Sequence, residues 1–349
     1  RRLITAAVFA LLIAVPSLGD QAQRAAVIFA TRGDERITAL DAKTLEPLWN
    51  HALGVGAHEL VVSPDGTRIA GSAYGGPGQN HQPADNRIAI FHINQSDMQD
   101  PPTPPTIIDL GEHIRPNDMC FMPDSRELLV TSEVKQALLR IDTDTGEITS
   151  TIELPHNAGH MLAAHPASDR VYIAHVRQGV VSVVDLLLDA AVAEIKVEPG
   201  AEGIAISPDG SRVWCANNRS NSISVIDTEF DTVKQTIKCE GFPFRVRFTP
   251  DGKHVIVSLP EANALAIFDA DSCDLLRTAS LATVGMRSLP TSIAVSPDSS
   301  TAYAVCNDPP LIVAIDIASG NITARHFPIG TIPDGLCAAE IAGIEPDPE

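Results

Sequence analysis

Glu202-Gly203-Ile204-Ala205-Ile206-Ser207-Pro208-Asp209-Gly210-Ser211-Arg212-Val213-Trp214-Cys215-Ala216 is the stretch that decides the fold. A short apolar run enters the turn Ser207-Pro208-Asp209-Gly210, and a β-rich run leaves it. Proline sets φ for the first corner, Asp bonds the turning backbone, and Gly takes the left-handed corner. Two strands joined in this way form a hairpin. The same turn returns as Ser63-Pro64-Asp65-Gly66, Met122-Pro123-Asp124-Ser125, His165-Pro166-Ala167-Ser168, Thr249-Pro250-Asp251-Gly252 and Ser296-Pro297-Asp298-Ser299.

Six residues before each turn proline a strand begins, at His58, Asn117, His160, Glu202, Phe244 and Thr291. A seventh start lies at Asp334, because Pro333-Asp334-Gly335-Leu336-Cys337-Ala338 matches Ala201-Glu202-Gly203-Ile204-Ala205-Ile206. Successive starts are 59, 43, 42, 42, 47 and 43 residues apart. β-type units at such a period indicate a propeller. Each full unit holds four β-type runs, as in Gly203–Ser207, Arg212–Ala216, Ser222–Asp227 and Val233–Cys239.

The two ends of the chain complement one another. Residues 25–53 supply three runs with no inner strand before them, and the tail supplies one inner strand, Gly335–Ile341. Joined, they make a seventh blade and leave no open edge between the first and last blades. The expectation is an all-β, seven-bladed β-propeller of four-stranded blades, closed by pairing the N-terminal strands with the C-terminal inner strand. It occupies residues 20–349 as a single domain. The third run of each unit ends in Asp (Asp41, Asp142, Asp185, Asp227, Asp269 and Asp316) or His92. One residue type recurring at one strand end reads as a turn device, not as chemistry.

The units Val213-Trp214-Cys215-Ala216-Asn217-Asn218 and Ser222-Ile223-Ser224-Val225-Ile226-Asp227-Thr228 resemble the YVTN family of β-propeller repeats. The resemblance covers residues 25 to about 342. It implies the propeller fold and kinship with surface and periplasmic proteins, with lactonase-like propellers and with amine-dehydrogenase subunits. One fold hosting many functions leaves the activity to be argued from the site.

Arg1-Arg2, the apolar stretch Leu3 to Val15 and Ser17-Leu18-Gly19 read as a secretory signal peptide over residues 1–19. That reading places the mature chain in the periplasm or outside the cell. The apolar run is short for a membrane span, and none is expected in the mature chain. Loss of Arg1 and Arg2 would deepen the formal net charge of −19 to −21. With no basic cluster, nucleic acid is excluded as an expected partner. Cys120, Cys215, Cys306 and Cys337 lie in apolar runs and read as small hydrophobes, while Cys239 and Cys273 have the placement to pair. No CxxC or CxxCH spacing is present.

Propellers bind at the face where inner strands start, around the channel mouth. There the sequence places His58, Glu59, Asn117, Asp118, His160, Glu202, Arg245 and Asp334 as candidate ligand-binding residues, joined by His81 and Arg115 from loops. Tyr74, His113, Glu133, His156, His175, Arg177, Asn218, Arg219 and Arg287 are expected on the same face. Six of eleven His fall in this group, more than an even spread would place there. His58, Glu59, Asp118 and His160 are donors of the type that holds a divalent metal; no other cofactor is indicated. The Gly-rich insertion at residues 74–86 lies beside His58 and Glu59, where long loops serve as lids or docking segments.

The expected function is binding of a small molecule or a periplasmic or extracellular protein at the channel mouth. The alternative is a lactonase-type hydrolase, with or without metal assistance, and a third reading is a structural subunit of a periplasmic redox complex. In the hydrolase, Arg245 would stabilise an oxyanion while Glu202 or His160 moves a proton.

Overall fold

The computed structural model describes residues 23–75, 83–93, 104–157, 159–283 and 289–342. The expected signal peptide and the loop residues His81 and Arg287 lie outside these. The described residues form twenty-eight strands, β1–β28 in chain order, in seven antiparallel sheets of four.

Each blade begins with an inner strand. These are β4 (Glu59–Val62), β8 (Pro116–Phe121), β12 (Gly159–Ala164), β16 (Ala201–Ile206), β20 (Val246–Phe248), β24 (Pro290–Val295) and β28 (Pro333–Ala342). In the first six blades the other three strands follow in sequence. In the seventh the order is β28, then β1 (Gln23–Thr31), β2 (Arg36–Asp41) and β3 (Pro47–Ala52), so the tail closes the ring against the head as expected. The β1–β28 register runs from Gln23 opposite Ala342 to Phe29 opposite Leu336. Four hydrogen bonds extend the latch into the adjoining loops: Arg32 N to Ile332 O, Gly33 N to Thr331 O, and Thr331 N and Oγ1 to the Asp34 carboxylate.

The apolar core lies between blades. Trp214 of the fourth blade is fully buried with its ring edge-on to Phe248 and Phe268 of the fifth. The repeated turn works as its residues dictate. Asp209 Oδ1 accepts from Ser207 Oγ and Ser211 N, and Gly210 sits at φ 76°. Where Ser replaces Gly, as at Ser125 and Ser299, its hydroxyl accepts from the turn of the preceding blade, at Asp65 N and Asp251 N. The strand-end Asp residues bond the next hairpin, as when Asp227 Oδ1 accepts from Glu229 N and Phe230 N. Cys239 and Cys273 are both free thiols, as are the other four cysteines.

Inner strands come very close at two positions. A Cβ on Gly203 would lie 2.2 Å from Phe244 O, and one on Gly335 would lie 2.7 Å from Leu60 N. Glycine at these points lets consecutive blades approach around the channel. No helix among the described residues is long and apolar enough to cross a membrane.

Candidate functional site

A bulge at the head of the inner strand builds the site. In β8 the register jumps from Pro116 opposite Ser132 to Met119 opposite Val130, so Asn117 and Asp118 together face one residue. β12 repeats this at His160 and Met161, β16 at Glu202 and Gly203, and β28 at Asp334 and Gly335. A bulge re-aims side chains and kinks the strand. It recurs at Asn117, Asp118, His160, Glu202 and Asp334, whereas Glu59 pairs in continuous register with Ser72 and Arg245 precedes its strand.

Hydroxyls of the second strands hold the heads of the inner strands in place. Ser72 Oγ accepts from Glu59 N and donates to Asn117 O of the next blade at 2.6 Å. Thr131 Oγ1 likewise accepts from Asp118 N and donates to His160 O at 2.7 Å. Ser258 Oγ accepts from Arg245 N at 2.9 Å. Each hydroxyl therefore fixes the start of an inner strand, and two of them tie one blade to the next.

Two chains of charge meet at the mouth. In the first, Arg245 and Glu59, both almost fully buried, form an ion pair through Nη2 and Oε1. Arg245 Nη1 lies 3.8 Å from Glu202 Oε1, and the same oxygen is 3.3 Å from His160 Nδ1, at an angle too poor for a hydrogen bond. Asn218 Nδ2 donates to Glu202 Oε2 at 3.3 Å. In the second, His58 Nδ1 is 2.7 Å from Asp334 Oδ2, which also lies 3.5 Å from Arg32 Nη1. The His58 ring centroid is 4.9 Å from that of Tyr74, the Arg115 guanidinium lies 5.2 Å over the Tyr74 ring, and the Tyr74 hydroxyl donates to Glu133.

These pairings set the protonation states. Burial opposes charge on His58, but Asp334 and then Glu59 outweigh it and raise its pKa above 6.5. Burial likewise opposes the Asp334 carboxylate, and His58 and Arg32 reverse the balance to lower its pKa. Burial lowers the pKa of His160 despite Glu202, with Arg245 adding to the effect, so its ring is neutral near pH 7. Burial raises Asp118 to about 6, with the Glu59 charge adding to it, although its oxygens accept from Met119 N and Leu162 N, each at 2.9 Å.

The expected residues do not all gather here. His175 ends β13 (Arg170–His175) fully buried, with Nε2 2.8 Å from Ser182 Oγ; it packs within its blade and does not line the mouth. Its side chain is drawn in because the strand extends one residue further than the sequence pattern suggests. His156 stacks edge-on to His175 and lies 3.1 Å from Glu194 on an outer strand, so it too belongs to that pair. The four candidate metal donors have other engagements: His58 with Asp334, Glu59 with Arg245, Asp118 with backbone N–H groups and His160 beside Glu202. Among the described residues, no three His, Cys, Asp or Glu side chains are grouped to hold a metal ion. Arg32 went unrecognised in the sequence, though it occupies the seventh blade's counterpart of the loops that supply Tyr74 and Glu133. The hydroxyls of Ser72, Thr131 and Ser258 carried a legible signal, a small polar residue at one strand position, that was also missed.

A YNCE-like β-propeller family model matches residues 155–340, more than half of the chain. The chain belongs to the YNCE-like β-propeller family. No curated relative matches it. Among solved structures, a functionally unknown protein from Desulfotomaculum acetoxidans DSM 771 is similar over 91% of this chain and 99% of its own, with a TM-score of 0.73 and 16% identity. That likeness shows the fold alone. Kuenenia stuttgartiensis hydrazine synthase is similar over 58% of this chain and 76% of its own, with a TM-score of 0.47 and 18% identity, too distant to inform function.

Two outcomes are expected for this YNCE-like propeller. Arg245→Met leaves Glu59 buried and unpaired and lowers stability by about 3–5 kcal/mol, whereas adding Glu59→Met recovers most of the loss. Urea unfolding of both variants checks this; a double variant as unstable as the single one refutes the ion-pair account. The His58–Asp334 pair also has a defined pH window. Its His58 contribution is complete below about pH 6.5 and lost as pH rises through the raised folded pKa; its Asp334 contribution is present above about pH 4 and lost as pH falls through the lowered one. The stability difference between wild type and His58→Gln is therefore largest near pH 5 and shrinks towards pH 9. A difference that grows with pH contradicts this assignment.

Proposed function

We propose that this YNCE-like propeller is an extracytoplasmic binding protein that takes a polar small molecule at the channel mouth. One observation carries the reading. Asn117 Oδ1 and Nδ2, Asn218 Oδ1, His160 Nδ1, and Arg245 Nε and Nη1 are buried at the mouth without a hydrogen-bond partner among the described residues. Such atoms cost about 1–3 kcal/mol each when left unsatisfied, and folded proteins seldom leave several in one place. They include donors and acceptors, so the fitting molecule carries both hydroxyl and carbonyl or carboxylate groups. Asn117 and Arg245 are 0% and 2% exposed. A group reaching them must be small, which favours a small molecule over a protein surface. The extracytoplasmic setting rests on the signal-like residues 1–19.

A second reading is supported by the meeting of His160, Glu202 and Arg245 around one carboxylate oxygen. In a lactonase-type hydrolysis the neutral His160 would accept a proton from water, with the Glu202 carboxylate beside the resulting imidazolium. Arg245 Nη1 and Nε would donate to the developing oxyanion. A divalent metal at His58, Glu59, Asp118 and His160 would take the His58 ring nitrogen that does not face Asp334 and would compete with Arg245 for Glu59.

Native mass spectrometry against a panel of sugars, hydroxy acids and their lactones tests both readings. Binding of at least one class is expected, weakened roughly tenfold or more in Asn117→Leu and in Glu202→Gln. Binding unaffected by both substitutions, or no binding across the panel, overturns the mouth reading. Lactone turnover that disappears in Glu202→Gln moves the assignment to the hydrolase.

A further inference from the structure

We propose a second ligand site inside the channel, separate from the mouth, that binds a small amphipathic carboxylate. Below the mouth residues the inner strands of five blades line an open cavity of about 350 Å³. Its partly exposed lining is mainly apolar, with Val61, Val62, Phe248, Val295 and Ala338 in it, while the residues between them pack into the blade interfaces. Pro64 and Pro250 of the repeated turns line it as well, which places it towards the end of the channel opposite the mouth.

Arg247 is the exception among these walls. It stands two residues beyond Arg245, so it belongs to the next level of the channel. Its one hydrogen bond among the described residues goes from Nη1 to the adjoining Val246 O at 3.1 Å, and it forms no ion pair. Asp118 and the thiols Cys120 and Cys337 lie within its field. The Asp118 oxygens accept from two backbone N–H groups and do not reach the guanidinium. A guanidinium is charged at any accessible pH and presents a planar fork suited to a carboxylate. Set in apolar walls, it recognises an anionic head while the walls take an apolar body out of water. One guanidinium selects a single negative charge. The volume is at the small end for ligand pockets, which run from about 300 Å³ upward, and limits the body to a short chain or one ring.

The occupant differs in kind from the hydroxyl-rich molecule proposed for the mouth, and this site stands whether or not that reading does. The lining also supplies a reporter. Cys120 and Cys337 face the cavity and are half-buried, while Cys215, Cys239, Cys273 and Cys306 are buried elsewhere.

Calorimetric titration with octanoate and with octanol, combined with methyl methanethiosulfonate labelling counted by mass spectrometry, tests the proposal. Octanoate is expected to bind the wild-type protein one to one and to slow labelling of Cys120 and Cys337, whereas octanol at equal concentration does neither. Arg247→Met is expected to weaken octanoate binding by roughly tenfold to a hundredfold. The wild-type comparison of octanoate with octanol stands even where that variant fails to fold. Absence of octanoate binding to the wild type, equal binding of octanol, binding that leaves both thiols unprotected, or unchanged affinity in folded Arg247→Met would each overturn it.

Discussion

The pairing of β28 with β1 is the constraint on which the molecule depends. It joins residues near position 336 to residues near position 29 and converts an open array of blades into a ring. An open array would leave two long edges, each a row of unpaired backbone groups exposed to other chains. Closure removes those edges, and it also places chemistry. Asp334 meets His58 because β28 packs beside β4, and Arg32 joins them because the loop after β1 is sewn to residues 331 and 332. Around the same ring, Arg245 reaches Glu59 across 186 positions of sequence.

Burying so much charge at the mouth is tolerable because it is arranged in opposite-sign contacts. An isolated buried carboxylate or guanidinium costs several kcal/mol even after relaxation, so each of these groups depends on its neighbours. The arrangement is uneven. His58, Asp334, Glu59 and Arg245 are well matched, whereas Asp118 is pushed towards its protonated form and His160 towards its neutral one. Environments that drive titratable groups in opposite directions are what a binding or proton-moving site requires, and structural ion pairs perturb groups in the same way. Asn117 adds a buried amide with neither polar atom partnered among the described residues, and the proposed binding reading rests on it.

The fold was legible because turn chemistry is local. Ser207-Pro208-Asp209-Gly210 specifies its hairpin with four residues, and its copies fix the period, the blade count and the strand starts. Closure followed from the arithmetic of three runs at the head and one at the tail. The site was legible only as a set of positions. A bulge is a property of two strands together, so nothing in Asn117-Asp118 or Glu202-Gly203 alone announces it. His175 looked like a loop residue because the apolar run of its strand ends at Ala174, one residue before the strand does. Arg247 passed unnoticed because Val246-Arg247-Phe248 reads as an alternating strand with a polar residue facing solvent, and only the ring turns that face into the channel.

Hydrogen–deuterium exchange along β28 tests the central claim of ring closure most directly. Alternate amides across residues 336–341 donate to β1, and the account predicts that these exchange as slowly as the corresponding amides of β16, in the middle of the chain. Rapid exchange throughout residues 336–341, with β16 protected, would mean that the ring is open and that Asp334 and His58 do not share one mouth.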